Sequence, residues 1–164
     1  MTQAADFVAK AKTQVGVVEV PDNKTIYGKF TGSDGQPWCG SFVMWCAAQV
    51  AFKGMPNCVY TPAGAKAFQG QGKWSNHETA KPQPGDIAFF SFDGKGVEHV
   101  GIVVKDNGDG TVTTVEGNTS ADNKPTGSQS NGGEVALKTR AFQTSNKHHM
   151  AVFVVGFGSP KWTS

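Results

Sequence analysis

The chain changes periodicity near Pro84, and that break constrains the fold more than any other feature. Before it, apolar residues recur at helical spacing. After it they come in short β-branched or aromatic runs divided by Gly, Asn and Asp. Residues 3 to 15 place Ala4, Phe7, Val8, Ala11 and Val15 on one side of an opening helix that Gly16 ends. A second helix is predicted from Cys39 to about Phe52, with Phe42, Val43, Cys46, Ala47 and Val50 on its apolar side. "TPAGAKAFQ" predicts a short third helix with Pro62 in its first turn. The intervening "VPDNKTIYGKFTGSDGQP" is turn-rich and reads as irregular.

Beyond Pro84 the runs "GDIAFFSF", "EHVGIVVK", "TVTTVEG", "EVALKTR" and "MAVFVVGF" predict strands, with "DNGDG" as a hairpin turn between the second and third. Helices first and an antiparallel sheet second define an α+β domain. The expectation is N-terminal helices packed on a five- to six-stranded, mainly antiparallel sheet. The polar loop "TSADNKPTGSQSNGG", residues 119–133, is too hydrophilic to be core, and loops of that length are often functional.

Length and charge exclude several function classes. A chain of 164 residues suits a single domain over 1–164 that buries a core without staples. A formal net charge of +2 offers neither a nucleic-acid groove nor a polybasic membrane patch. No run approaches the roughly 18 apolar residues of a membrane helix. The opening "MTQAADFVAKAKTQV" lacks the layout of a secretory signal, so synthesis in the cytoplasm, or excision from a longer protein, is expected. A monomer is the simplest expectation.

The three cysteines make an odd count, so at least one thiol is free unless pairing is intermolecular. Cys39 and Cys46 lie seven residues apart on one predicted helix, about 10 Å by helical rise and beyond the roughly 7 Å limit for a bridge. Cys46 falls on the apolar side and reads as core, with a Cys46–Cys58 pair left open. Cys39 opens its helix, where unpaired backbone N–H groups and the positive end of the dipole stabilise negative charge, on sulfur and then on an oxyanion. A small buried hydrophobe is the alternative for Cys39 unless a base stands near it.

Of the four histidines, His77, His148 and His149 read as surface or satisfied side chains. His99 opens the apolar run "HVGIVV", and a polar ring at the start of a buried strand needs a hydrogen-bond partner. Glu116 and Asn118 in "TVTTVEGNTS" are two apart and share a strand face, and either can accept from the ring. Cys39, His99 and Glu116 thus form a candidate triad. Metal motifs are absent: there is no CxxC or HExxH, and "DNGDGT" fails the EF-hand template. Trp38, Trp45, Trp74 and Trp162 can either stack on a sugar or pack inside.

The blocks "NKTIYGKFTGSDGQPWCGSFVMWC", "KPQPGDIAFFSF", "EHVGIVV", "TVEGNTS" and "NGGEVALKTR" resemble, in order, those of a CHAP domain, the cysteine, histidine-dependent amidohydrolase/peptidase module with a papain-like core. The combination of Tyr-Gly, Pro-Trp-Cys and Glu-Gly-Asn most resembles the domains of bacteriophage endolysins and related wall hydrolases. The resemblance implies that Cys39 is the nucleophile, His99 the base and later acid, Glu116 the residue orienting it and Asn118 an auxiliary group. Gln36 and Tyr27 are the candidates for a second oxyanion donor, and Trp38 is a candidate substrate contact. The implied reaction is acyl transfer on an amide of peptidoglycan, by amidase or endopeptidase cleavage, with no cofactor. Some CHAP domains bind calcium before the cysteine. Here that loop offers Asp22, Asn23 and Asp34 with Lys24 and Lys29 between them, a departure that argues against calcium. The rival readings are a wall-binding module without catalysis and a papain-like protease or toxin acting on protein.

Overall fold

In the computed structural model, which describes residues 2–163, four helices come before the sheet: α1 (Gln3–Thr13), α2 (Ile26–Thr31), α3 (Cys39–Gln49) and α4 (Thr61–Gly70). The strands are β1 (Trp74–Asn76), β2 (Ile87–Phe90), β3 (His99–Asp106), β4 (Thr111–Thr119), β5 (Glu134–Ala141) and β6 (Val154–Gly158). They form one sheet in the order β1-β6-β2-β3-β4-β5, with every neighbouring pair antiparallel. The architecture is α+β, as the break in periodicity predicts.

Two elements were not expected. The stretch read as irregular contains α2, whose Thr25 hydroxyl caps the Gly28 N–H at 2.9 Å and whose end is set by Gly32 in the left-handed region, φ 75°. Strand β1 has three residues and takes its order from β6, against which it pairs from Trp74 to Asn76. Helix α3 ends at Gln49, short of Phe52, because Ala51 takes a left-handed φ of 55°. The Ala51 and Phe52 N–H groups then bond back to the carbonyls of Ala48 and Ala47, each at 3.0 Å, closing a Schellman-type turn.

Both sheet faces are covered, so "IAFF" of β2 is buried at every position instead of alternating. Phe89, Ile102 and Val115 face the helices and pack with Phe7, Phe42 and Val43. Ala88, Phe90, Val103 and Val112 face the other way, against Phe142 and Phe157. Helix α3 lies on β3 and β4, which carries Cys39 to the end of the sheet where β3 begins. Its first turn fits there because Gly40 has no side chain: a Cβ would sit 1.8 Å from the Cys58 carbonyl oxygen.

Candidate active site

His99, the first residue of β3, is fully buried, and its Nε2 lies 2.8 Å from Glu116 Oε1 on the neighbouring strand. The carboxylate has further donors. Thr114 Oγ1 gives a hydrogen bond to Oε2 at 2.6 Å; Arg140 donates from Nε to Oε2 at 2.8 Å and from Nη2 to Oε1 at 2.6 Å. Burial alone would favour the neutral acid, but Arg140 and His99 outweigh it and hold Glu116 below the usual carboxylate range. The fixed carboxylate accepts from Nε2–H, so Nδ1 is the ring nitrogen left for another partner. Gly101 makes room for this contact, since a Cβ there would lie 2.5 Å from Glu116 Cγ.

Cys39 stands beside that nitrogen. Nδ1 is buried and has no hydrogen-bond partner among the described residues, while the Cys39 thiol is near enough to the imidazole to favour its charged form. Burial opposes charge on His99, but the hydrogen bond to Glu116 and the nearness of Cys39 and Glu116 prevail and raise it to about 9. Cys39 is the first residue of α3, so its backbone N–H lies outside the intrahelical ladder. Trp38, the N-cap, makes no side-chain cap either, and the helix start keeps free donors beside the sulfur. The thiol opens on a cleft of about 460 Å³ walled by the turn before α3, by Val59–Pro62 and by Val97–Glu98. A thiol, a ring held in one orientation by a buried carboxylate, and free N–H groups are the parts that nucleophilic acyl transfer requires.

The other candidates separate. Gln36 lines the cleft. Tyr27 is fully buried and its hydroxyl donates to Gln14 Oε1 at 2.8 Å, so that proton is not free for an oxyanion. Trp38 is equally buried, stacked on Tyr27 at 5.4 Å, with Nε1–H bonded to Glu19 at 3.0 Å; its indole has no face left for substrate. Asn118 does not share the Glu116 face. The register shifts between Glu116 and Thr119, and Asn118, with φ 55°, bonds Asn131 at 3.1 Å and accepts from Gly133 N–H at 3.1 Å. It ties down the 119–133 loop and leaves the ring to Glu116.

All three cysteines are free thiols. Cys46 and Cys58 are fully buried, and burial pushes both thiols up, Cys58 to about 12. His77 Nδ1 lies 2.7 Å from the Phe142 carbonyl and His148 pairs with Asp109 at 2.7 Å. In the loop before α3, Asp34 Oδ1 accepts from Thr25 N–H and the Asn23 N–H donates to Glu19, both at 3.0 Å. Asn23 Oδ1 is buried without a partner, but one amide oxygen is far short of the 6–8 oxygens calcium takes. Among the described residues no group of three or more His, Cys, Asp or Glu side chains is placed to hold a metal.

Sequence reasoning missed Arg140 and Thr114. One signal was present: Arg140 is the chain's only arginine, and a bidentate carboxylate is the partner its fork fits and a lysine does not. For Thr114 the signal was spacing alone, two residues from Glu116 in a strand.

Helices packed on one antiparallel sheet, with a helix-borne thiol near a buried histidine–carboxylate pair at the sheet's end, define an α+β domain of hydrolase type. Within it the assignment is specific: the CHAP domain family matches residues 31–118, more than half of the 164 residues, and the chain belongs to that family. A crystal structure of Ly7917 has the same fold, with a TM-score of 0.53 at 16% identity over 96% of this chain and 62% of that one. A second, of Ly7917 with the hydrolyzing product of MDP, gives 0.51 at 16% identity over the same shares, 96% and 62%. The chain therefore spans less than two thirds of Ly7917. No curated protein matches the chain.

Proposed function

We propose that the protein is a peptidoglycan hydrolase that cleaves an amide bond in the peptide part of the bacterial wall through Cys39, His99 and Glu116. The observation that carries the reading is the buried line from the Cys39 thiol through His99 to Glu116, at the mouth of a cleft in a CHAP domain. The Ly7917 structure with the hydrolyzing product of MDP supports a hydrolytic reaction for this fold. Resemblance to endolysin domains supports a phage lysin, and we infer that the domain works on the wall as a monomer.

The proton that Cys39 and His99 share rests on Nδ1 of His99 while the sulfur attacks the amide carbonyl carbon. The oxyanion is met by the Cys39 N–H, with the Gln36 side chain as second donor. His99 then gives the proton to the departing amine as the C–N bond breaks, leaving a thioester on Cys39. Water, deprotonated by His99, attacks the thioester; the acid leaves and the thiol recovers its proton. Glu116 stays ionised throughout, fixing the ring and stabilising the imidazolium. Every proton transfer runs through His99, so the cycle is complete without a metal, and we infer that none is needed.

The test is mass spectrometry of fragments released from purified peptidoglycan by the wild type and by Cys39→Ala. New fragments from the wild type alone are expected, and their masses distinguish amidase from endopeptidase cleavage. Equal release by both proteins would remove Cys39 as nucleophile. No release from several wall types, with cleavage of a protein substrate, would favour the protease reading.

A further inference from the structure

The cleft wall carries one carboxylate that the proposed chemistry does not use. Glu98 lines it together with Cys39, Val59, Tyr60, Pro62 and Val97. Its Oε1 accepts from the Phe92 N–H and, at 3.1 Å, from the Asp93 N–H, which fixes the side chain against the β2–β3 loop. Both of these bonds go to one oxygen; Oε2 has no hydrogen-bond partner among the described residues. Nor does any Lys, Arg or His among them lie within ion-pair distance of Glu98. A half-buried carboxylate in the cleft wall, held through one oxygen and with neither a partner on the other nor a countercharge, is prepared for a cationic ligand group. The wall around it is apolar, and Tyr60 stands 71% exposed on the cleft side of α4 with nothing covering its ring. Tyr60, Val59, Pro62 and Val97 match a run of methylenes, and Glu98 matches an ammonium at its end.

We propose that Glu98 and its apolar surround bind the protonated side-chain amine of a lysine-type diamino acid in the substrate. This amine fixes which amide bond reaches Cys39. The inference rests on the hydrolase reading above and names its substrate class. The positioning is electrostatic and end-on: the ammonium gains a charge-assisted hydrogen bond to Oε2 while the chain's methylenes leave water. Glu98→Gln is a clean probe, because the amide oxygen still accepts from Phe92 and Asp93 and only the charge is removed.

Binding is measured by calorimetry with Cys39→Ala and with Cys39→Ala/Glu98→Gln. Three synthetic stem tetrapeptides with lysine at the third position serve as ligands, acetylated at the N-terminus only, at the lysine amine only, or at both. The expected result is about 10-fold tighter binding by Cys39→Ala of the peptide with a free side-chain amine, a preference lost in the double variant. Equal affinity for all three peptides, absence of binding, or a preference for the free N-terminus would overturn the assignment. Turnover of the same peptides by the wild type reports on the hydrolase reading separately. Cleavage without amine preference sinks the subsite alone. Amine-dependent binding without cleavage of these peptides or of purified wall keeps the subsite and sinks the hydrolase.

Discussion

Arg140 and Glu116 meet as a bidentate pair inside the protein, Nε to Oε2 at 2.8 Å and Nη2 to Oε1 at 2.6 Å. The guanidinium lies 5.1 Å from the centroid of the Phe90 ring and 5.5 Å from that of Phe92, so its plane is held as well as its charge. The carboxylate that orients His99 is thus itself oriented, and removing the arginine leaves a buried charge short of donors. Arg140→Met is expected to lower stability by about 3–5 kcal/mol, as for other broken buried pairs. Arg140→Lys, which keeps the charge without the fork, falls between. Urea unfolding of the three proteins checks the order; equal midpoints would mean the pair is worth nothing net.

Gly101 tests the same carboxylate from the other side. A Cβ at this position would come within 2.5 Å of Glu116 Cγ, so Gly101→Ala must push Glu116 away from His99. A displacement of that size at a positioned group costs about 100-fold in kcat/KM, with about 1–3 kcal/mol of overpacking. Gly70→Ala, with nothing within 4 Å, is the control and lowers neither activity nor stability. Full activity in Gly101→Ala would show that the Glu116–His99 contact does not matter to turnover.

The fold was legible because the α and β periods are cleanly segregated at Pro84, and the long elements α1, α3, β3 and β4 all carry that signal. What escaped was short or governed by partners. Strand β1 exists because β6 offers it a free edge, which no local pattern records. The end of α3 was overrun because an alanine, Ala51, takes the position where a glycine would have announced the stop.

The meeting of Cys39, His99 and Glu116 in space was readable because each sits at or near the end of an element whose period is clear. Strand β5 shows the limit. Simple alternation would bury Leu137 and expose Lys138 and Arg140, yet Leu137 is 46% exposed while Lys138 is 3% and Arg140 8% exposed. The polar residues face inward because Glu116, the Ser120 carbonyl and Asp122 are there to meet them. Asn118 was misplaced for a related reason: the irregular register beyond Glu116 breaks the two-residue period on which the reading relied.

Thiol accessibility gives a third prediction. Cys39 lines the cleft, whereas Cys46 and Cys58 are fully buried and burial pushes their thiols up, Cys58 to about 12. Iodoacetamide on the native protein near pH 7 is expected to label Cys39 alone, and on the unfolded chain all three. His99→Ala, which removes the neighbouring base, should slow native labelling by about 10-fold or more. Peptide mapping identifies the sites; native labelling of Cys46 or Cys58 at a rate comparable to Cys39 would contradict the packing described.

The fourth prediction concerns pH. His99 is raised from 6.5 to about 9, so the folded protein holds this proton where the unfolded chain has released it. The stability it contributes is therefore fully present below about 6.5 and is lost as pH rises through about 9. Leaving-group protonation depends on the same proton, so kcat/KM should fall on the alkaline side near 9. Glu116 is one of the groups that raises His99, and Glu116→Gln must move that limb toward lower pH as well as reduce the maximum. The profiles are measured on a soluble muropeptide from pH about 5 to 11. An alkaline limb that stays in place in Glu116→Gln would assign it to a group other than the His99 that Glu116 holds.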